Sequence, residues 1–416
     1  MTTEQVAALG PELTAYLGCF RPCFNRKPTF THLNVYCRGL LSDLPRKSVE
    51  PIALAGGAVV RTFQQFLADH VWDEIKMRDL IHRRIVNEHL PPPGEKSEGG
   101  IGTVGWIDET SVAKKGDKTP GVQRQYCGAS GKVDNCIVTV HLALRCGQFT
   151  SILDNDLFLP EKTWDADRER CREAHIPDQV VYTSKSLLAL DQIKRAIANG
   201  IRFDWLTFDE WYGSKPEFLS ALEDLGQHYI CEVPASLPVF ANWPKYKSLQ
   251  RPFVSKRADK ACKWCKPFKG KPWKKIKLAR KTLGDQVWEV RAAQVHLARD
   301  GRPTDRTYWL IVARSVAGGQ IKYFVSNAPP KTALLTLMKV AFTRWGVEHV
   351  FRLAKTEIGF GHYEGRSYKG LMRHMILCQL MLLFAAEQTD RLRGEKSGGD
   401  HRADGTGAEH ALPRVA

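Results

Sequence analysis

Two short apolar stretches, TVGWID at residues 103–108 and FDWLTFD at residues 203–209, decide the predicted fold. Both are rich in the aliphatic and aromatic residues of buried strands, and both end in an aspartate, Asp108 or Asp209. The second stretch leads through Glu210 into a predicted helix. Because each aspartate stands at the end of a strand, we expect the two carboxylates to reach one shared site.

A third carboxylate, that of Glu348, lies in RWGVEHVFRLAK at residues 344–355, a stretch that predicts a helix. On a helical wheel, Arg344 falls about 40° from Glu348 and Lys355 about 20° from it, so the three residues are predicted to share a face. Two strand-end aspartates and a helix glutamate form a donor set for a pair of divalent cations. With a neighbouring arginine and lysine for phosphate, this arrangement serves in-line phosphoryl transfer on a nucleic acid.

The chain is long enough for about two to three domains, since it has 416 residues. No apolar run approaches the roughly 20 residues that a membrane helix needs, and the N-terminus lacks a basic region followed by an apolar one. These features predict a cytoplasmic protein. The 11 cysteines are scattered, which favours reduced thiols over a disulfide framework. Cys262 and Cys265 form a lone CxxC, and because a structural zinc site needs four ligands, no zinc is expected.

Positive charge is concentrated in one region. The net charge is +16, and residues 235–285 alone contain 15 Lys or Arg against two Asp, a local net charge of +13. Seven aromatic residues are interleaved with these charges: Phe240, Trp243, Tyr246, Phe253, Trp264, Phe268 and Trp273. Basic side chains neutralise phosphates and aromatic rings stack on exposed bases, so the region predicts contact with nucleic acid. The alternative is a solvated basic loop with a few anchoring aromatics.

Individual residues of this region, and of two segments near the aspartates, are candidates for contact with nucleic acid. The predicted phosphate-binding residues are Arg344, Lys355, Lys114, Lys115, Arg124, Lys132, Lys263, Lys274 and Lys275. The base-stacking candidates are Trp211, Trp264 and Trp273. For the lysines that follow Asp108, the alternative is a solvated loop. For Trp211, it is a core or hinge position.

The order of predicted elements indicates an α/β protein whose catalytic core is interrupted. The predicted segments are a helical DNA-binding domain at 1–92, a Pro-rich linker at 93–100, the first part of the core at 101–234, a basic, aromatic and β-rich insertion at 235–328, the C-terminal core helices with Glu348 at 329–387, and a disordered tail at 388–416. This order is the one expected of a ribonuclease H-like core with an insertion: first strands, then helices, then the strand that carries the second aspartate, then the insertion and the helix that carries the glutamate.

Four long motifs give the chain a resemblance to a known family. They are WIDETSVAKKGDKTPGVQRQYCGASGKVDNC at 106–136, LFLP at 157–160, FDEWYG at 208–213, and RWGVEHVFRLAKTEIGF at 344–360 followed by HYEGRSYKGLMRH at 362–374. With these motifs the chain resembles the DDE transposases of insertion sequences in the IS4 group, most closely the IS701 type. The likeness covers roughly residues 15 to 387.

The resemblance implies a set of roles. The acidic triad of the family falls on Asp108, Asp209 and Glu348, rather than on the adjacent Glu109 and Glu210. Successive side chains of a strand face opposite sides of the sheet, so only one residue of each acidic pair can face the site. The family's Tyr–Arg–Glu–Lys motif falls on Ala341, Arg344, Glu348 and Lys355, so its tyrosine is replaced by alanine here.

The resemblance also implies a cofactor and partners. The cofactor would be two Mg²⁺ or Mn²⁺ ions. The substrates would be double-stranded DNA, both the element's terminal inverted repeats and the target, bound by a homodimer in the cytoplasm of a bacterium and associated with the nucleoid. The expected activity is cleavage at the element ends and joining of the 3′ ends to target DNA. The alternatives are a transposase relic that binds DNA without cutting, and a host nuclease of ribonuclease H-like fold.

Overall fold

The computed structural model describes residues 3–92, 95, 100–240, 256–257, 271–278 and 286–397. The chain divides into two compact units. Unit 1 comprises Met1–Glu95, Asp108–Arg202 and Gly346–Ala416, and unit 2 comprises Lys96–Ile107 and Phe203–Trp345. The mixed α/β class predicted from the sequence is confirmed.

The helices, in chain order, are α1 (Thr3–Gly18), α2 (Lys27–Leu41), α3 (Val49–Ala55), α4 (Val60–Ala68), α5 (Glu74–His89), α6 (Arg168–Glu173), α7 (Lys185–Ala198), α8 (Glu210–Gly213), α9 (Pro216–Asp224), α10 (Leu334–Thr343), α11 (Trp345–Leu353) and α12 (Tyr368–Ser397). The strands are β1 (Thr103–Ala113), β2 (Gln123–Cys127), β3 (Lys132–Cys146), β4 (Phe149–Leu157), β5 (Trp205–Phe208), β6 (Ile230–Val233), β7 (Pro238–Phe240), β8 (Lys256–Arg257), β9 (Lys274–Leu278), β10 (Gln286–Arg299), β11 (Arg302–Pro303), β12 (Tyr308–Ser315) and β13 (Ile321–Ser326).

The core of unit 1 forms around α12, an apolar helix that the N-terminal helices cover. Helices α2, α4 and α5 contact it, and the Tyr16 hydroxyl of α1 donates to the Leu380 carbonyl at 2.9 Å. By length and composition Tyr368–Arg393 could cross a membrane, but 83% of its apolar window is buried inside the protein. The helices predicted as a separate domain at 1–92 therefore pack within the same unit as α12.

One buried arginine holds several of these helices together. Arg373 of α12 is completely buried and donates to the carbonyls of Leu67, His70 and Trp72 at 3.2, 2.7 and 2.8 Å. Its guanidinium also pairs with Glu74 at 3.0 Å. Because the carbonyls at the end of α4 have no partner within the helix, the arginine satisfies acceptors that burial would otherwise leave unpaired.

The start of the disordered tail was predicted at residue 388, which is too early. Helix α12 continues to Ser397. Within the added turns the Thr389 hydroxyl donates to the Ala385 carbonyl at 2.7 Å, and Arg391 pairs with Glu12 of α1. The polar composition that predicted disorder instead belongs to a helix whose Arg391 has an ion-pair partner on α1. Residues 398–416 lie outside the described residues.

Unit 1 also contains an antiparallel group of strands. The long β3 pairs with β2 through its first half and with β4 through its second. The end of β1 lies beside β3, where the Lys114 amide donates to the Asn135 carbonyl at 2.8 Å. Helix α7 packs on β3 and β4, and its Arg195 pairs with Asp154 at 2.8 Å and with Asp156.

Unit 2 contains the parallel pair of β1 and β5, which the sequence predicted as strands. The register runs from Val104 opposite Trp205 to Ile107 opposite Phe208. The Thr103 amide starts the pairing by donating to the Asp204 carboxylate at 2.7 Å. Gly102 precedes it with a φ of +75°, and a Cβ there would lie 2.1 Å from that carboxylate, so the position requires glycine.

The rest of unit 2 is a large antiparallel sheet in the order β6-β13-β12-β10-β7-β8, with β9 and β11 also paired to β10. This sheet gives the described residues of 235–328 the β-rich character that the sequence predicted, and it extends to β6, which was predicted for the core. Phe342 of α10 covers one face of the sheet, with its ring centroid 4.8 Å from that of Trp288 and 5.8 Å from that of Phe324.

Burial of a histidine on α12 predicts how the stability of the protein depends on pH. The Nε2–H of His374 donates to the Gly359 carbonyl at 3.0 Å, and its Nδ1 accepts from the Tyr36 hydroxyl at 2.9 Å. Burial lowers the pKa of His374 to about 4, against about 6.5 in an unfolded chain. Between these values only the unfolded chain binds the proton, so the free energy of unfolding falls as the pH falls through that window.

We therefore expect His374→Gln, which has no charge to gain, to lose less stability than the wild type when the pH is lowered from 7 to 5. The difference should be about 2 kcal/mol, because one pKa unit corresponds to about 1.4 kcal/mol. Urea unfolding at the two pH values measures it. Equal losses for the two proteins would contradict the assignment of a neutral, buried imidazole.

Candidate functional site

Asp209 stands at the point where β5 ends and α8 begins. Phe208 before it is fully buried, and the Asp209 backbone remains extended as the N-cap of α8. Its Oδ1 accepts from the amides of Trp211 and Tyr212 at 3.0 and 3.2 Å. Asp209 therefore caps α8 in addition to its predicted role as a metal ligand. The two roles are compatible, because capping engages one oxygen of a carboxylate that has two.

Asp108 directly follows Ile107, the last residue of β1 that pairs with β5. The prediction that Asp108 ends a strand is wrong, because β1 continues to Ala113. Its side chain is half-buried, and Oδ1 accepts from the Glu109 amide at 2.8 Å. The Glu109 carboxylate is engaged by Lys185 at the start of α7, with distances of 2.8 and 2.7 Å to its two oxygens. The sequence did not single out Lys185, whose role depends on a contact between residues 76 positions apart.

Glu348 lies on the exposed side of α11, whose buried residues are Val347, Val350 and Phe351. The prediction of one continuous helix over 344–355 is wrong at both ends. Helix α10 ends at Thr343 with Arg344 as its C-cap, and Lys355 belongs to a π-helical turn at Ala354–Ile358. A π turn contains more residues than an α turn, so the predicted offset of about 20° between Glu348 and Lys355 does not apply.

The ammonium of Lys355 points back to β1. It donates to the Ser111 carbonyl at 3.3 Å, and burial lowers its pKa. His141 lies close enough for the lysine charge to affect it, and burial lowers the pKa of His141 to about 3. The imidazole is thus neutral at physiological pH and packs against Phe351 and Phe360, with ring centroids 5.0 and 5.3 Å apart.

Arg344 lines a depression of about 240 Å³ in unit 2. Its other lining residues are Thr207, Phe208, Glu232, Lys322, Phe324, Ala341, Phe342 and Trp345. Lys322 is nearly buried and pairs with Glu232 at 2.6 Å. The sequence analysis did not predict this ion pair, although a lysine within an apolar strand is unusual and could have indicated it. Ala341, at the family's tyrosine position, is buried here, while the ring of Phe342 faces the sheet.

A hydrogen bond ties this depression to β1. The indole Nε1 of the buried Trp106 donates to the Thr343 hydroxyl at 3.0 Å, and that hydroxyl donates to the Val340 carbonyl at 2.7 Å. Trp106 lies two residues before Asp108, and Thr343 lies directly before Arg344. The end of α10, and with it the backbone of Arg344, is therefore fixed relative to the first half of β1.

The other predicted contacts with nucleic acid differ in exposure. The exposed basic residues are Lys115, Arg124, Lys132, Lys274 and Lys275. Lys114 instead donates to the carbonyls of Gly361 and Tyr363 at 3.2 and 2.5 Å, and burial lowers its pKa to about 8. The contact of Lys114 with phosphate stays a prediction, and a phosphate would have to compete with these two carbonyls for the ammonium.

The aromatic candidates also differ. The Trp211 side chain is 39% exposed, and the Lys215 ammonium lies 4.7 Å from its ring centroid. Trp273 is 38% exposed and has two arginines beside its ring. Lys263, Trp264 and the CxxC cysteines Cys262 and Cys265 lie outside the described residues.

No group of three or more His, Cys, Asp or Glu side chains is placed to hold a metal ion within the described residues. The two-ion site on Asp108, Asp209 and Glu348 thus stays a prediction.

Comparison with known proteins defines the class. The family model described as DDE superfamily endonuclease matches residues 19–291, which is well over half of the chain, and the protein therefore belongs to this family. The matched range contains Asp108 and Asp209 and ends before Glu348.

The chain is 31% identical over 207 residues to the probable transposase for insertion sequence element IS701 of Microchaete diplosiphon, a match that covers 49% of this chain and 48% of that relative. The chain thus spans about half the length of the curated relative it matches. The predicted resemblance to DDE transposases of the IS701 type is confirmed. A solved structure, the cryo-EM structure of the piggyBac transposase synaptic complex with hairpin DNA, aligns with a TM-score of 0.43 at 10% identity, covering 97% of this chain and 75% of the other.

The cap at Asp209 predicts different effects for two substitutions. Asparagine caps helices about as well as aspartate, whereas alanine at an N-cap costs about 1 kcal/mol. We expect Asp209→Asn to keep the wild-type free energy of unfolding and Asp209→Ala to lower it by about 1 kcal/mol. Chemical denaturation measures both. If the two variants lost the same amount, the hydrogen bonds of Oδ1 would not be what stabilises α8.

Proposed function

We propose that this protein is a DDE transposase that cleaves the ends of an insertion sequence and joins the 3′ ends to target DNA. The observation that supports this proposal most strongly is the position of the two aspartates in the strand register. Asp108 and Asp209 directly follow Ile107 and Phe208, which are opposite each other in a parallel strand pair of a DDE family member. The pairing of β1 with β5 ends at Ile107 and Phe208, so both aspartates directly follow its last residue pair, although β1 itself continues to Ala113.

The proposed core is ribonuclease H-like. The antiparallel group β2–β3–β4 and the parallel pair β1–β5 are the parts that such a core needs. The helix that carries the third carboxylate follows the insertion in sequence, as in the predicted order. The match of the family model to residues 19–291 supports the same core.

The proposed cofactor is a pair of Mg²⁺ or Mn²⁺ ions held by Asp108, Asp209 and Glu348. Carboxylate oxygens are the ligands that these hard cations prefer, so the donor set fits the group. When bound there, such ions activate a water or hydroxyl nucleophile and stabilise the departing oxygen.

The protein residues prepare the site in distinct ways. The amides of α8 hold the Asp209 carboxylate in one orientation through Oδ1. Lys185 pairs with the Glu109 carboxylate and so binds the acidic neighbour of Asp108 to α7. Arg344 and Lys355 are proposed to hold phosphates of the strand being cut, because cations beside a cleavage site balance the charge of the backbone.

The proposed partners are double-stranded DNA, as terminal inverted repeats and as target, and a second copy of the chain in the DNA complex. Each chain carries one triad, and joining both ends of an element needs two cleavage sites. The positive charge of residues 235–285 supports contact with a polyanion. The helices at 1–92 are proposed to contribute to recognition of the ends.

The central prediction concerns substitutions that preserve shape and remove charge. Asp108→Asn, Asp209→Asn and Glu348→Gln should each reduce cleavage of the element's own terminal repeats in Mg²⁺ by at least about 10³-fold, since a ligand charge is lost. Binding of the repeats should persist or tighten, because a carboxylate near the phosphate has been removed. Gel assays of strand cleavage and of binding measure the two effects.

Glu109→Gln and Glu210→Gln are the matched controls and should retain substantial cleavage. Glu210 is exposed, and Glu109 pairs with Lys185, so the stability of Glu109→Gln is measured alongside. An essential Glu109 beside a dispensable Asp108 would contradict the assignment. A wild type that binds the repeats without cutting would instead be a relic, and one that cuts hybrids or junctions regardless of the repeats would be a host nuclease.

A further inference from the structure

The outward face of the large sheet in unit 2 has a composition unlike its covered face. Along β10, Trp288 and Val290 are buried, and the Trp288 ring contacts Phe342 of α10, whereas Glu289 and Arg291 lie on the opposite face and are half-exposed. The strand register places Lys275 opposite Glu289, and Glu289 opposite Arg314. Charged residues of three neighbouring strands therefore form one row on the outward face.

A single tryptophan organises two arginines on this face. Trp273, directly before β9, has the guanidinium carbon of Arg314 at 4.9 Å and that of Arg291 at 5.4 Å from its ring centroid. Arg314 also pairs with Glu289 at 2.5 Å, and the Arg291 Nε donates to the Lys271 carbonyl at 3.0 Å. The two guanidiniums are thus held by the indole and by fixed acceptors on either side.

The charges on this face do not balance. Among its described residues, Lys275, Lys277, Arg291 and Arg314 contribute four positive charges, and Glu289 contributes one negative charge. Holding two guanidiniums against one ring costs Coulomb repulsion, which an anion placed between them would relieve. Guanidinium groups bind phosphate in a planar, two-pronged geometry, so a row of phosphates is the anion that this face suits.

We propose that Trp273, Arg291 and Arg314 form a phosphate clamp for the backbone of duplex DNA, with Trp273 as the support of the two guanidiniums. The clamp rests on the proposed function, since it names a surface that would hold the same DNA. It also revises the interpretation of Trp273 from the sequence. Because two guanidiniums already lie over its ring, we assign Trp273 the role of positioning arginines instead of stacking on a base.

The test is the salt dependence of binding, measured by fluorescence anisotropy with the full chain and labelled duplex carrying the terminal repeat. Arg291→Gln and Arg314→Gln should each flatten the log–log slope of affinity against salt by about 0.9, the value for one lost phosphate contact. Trp273→Ala should weaken binding and flatten the slope as well, because both guanidiniums lose their support. Trp273→Phe, which keeps an aromatic face, should restore most of the slope.

Arg306→Gln is the matched control. Its guanidinium carbon lies 4.9 Å from the ring centroid of Tyr308, so it too is an arginine on an aromatic ring, but it pairs with Glu223 and is not part of the row. The same charge is removed, and the slope should not change. Equal flattening by Arg306→Gln, or an unchanged slope for Arg291→Gln and Arg314→Gln, would overturn the clamp.

A second measurement separates phosphate contact from base stacking. In duplexes that carry 2-aminopurine, Trp273→Ala should leave the emission of the bound DNA unchanged. If the emission changed while the salt slope stayed at the wild-type value, Trp273 would be a stacking residue and the clamp would be wrong. Cleavage of the same duplex by the wild type is assayed in parallel. If the wild type cleaves but the arginine variants keep its salt slope, the clamp fails and the proposed function stands; if the wild type does not cleave, the proposed function fails.

Discussion

The parallel pairing of Val104–Ile107 with Trp205–Phe208 is the constraint on which the rest of the account depends. Both strands are buried, so their register is fixed by packing, and a slip of one residue would turn every side chain to the wrong face. The aspartates follow the last pair directly. The same segment of β1 contains Trp106, whose indole donates to Thr343 at the end of α10 and so fixes the backbone next to Arg344.

The strands were predictable because their signal is local. Dense apolar runs such as TVGWID and FDWLTFD predict buried strands without knowledge of the partner. The acidic helix was also found, but its limits were not. The break at Arg344 and the π turn at Lys355 arise where long-range contacts, such as the bond from Lys355 to the Ser111 carbonyl, outweigh regular helix geometry.

Roles of individual charges were harder to predict, because a lysine in a loop has the same sequence signal whether it faces solvent or a carbonyl. Lys114 and Lys115 are adjacent, yet Lys115 is exposed while Lys114 donates to two backbone carbonyls more than two hundred residues away in the chain. Helix α12 shows the same limit. Its apolar composition predicts burial, but only the structure identifies the N-terminal helices as the elements that cover it.

The central claim, that Asp108, Asp209 and Glu348 hold metal ions at one site, is tested most directly by replacing Mg²⁺ with Fe²⁺ and generating hydroxyl radicals with ascorbate and peroxide. Radicals formed at a bound iron cut the nearest backbone. The account predicts cuts next to all three residues in the DNA-bound protein, suppressed together by excess Mg²⁺ and by Asp209→Asn. Cuts at only one of the three, or cuts that persist unchanged in Asp209→Asn, would contradict it.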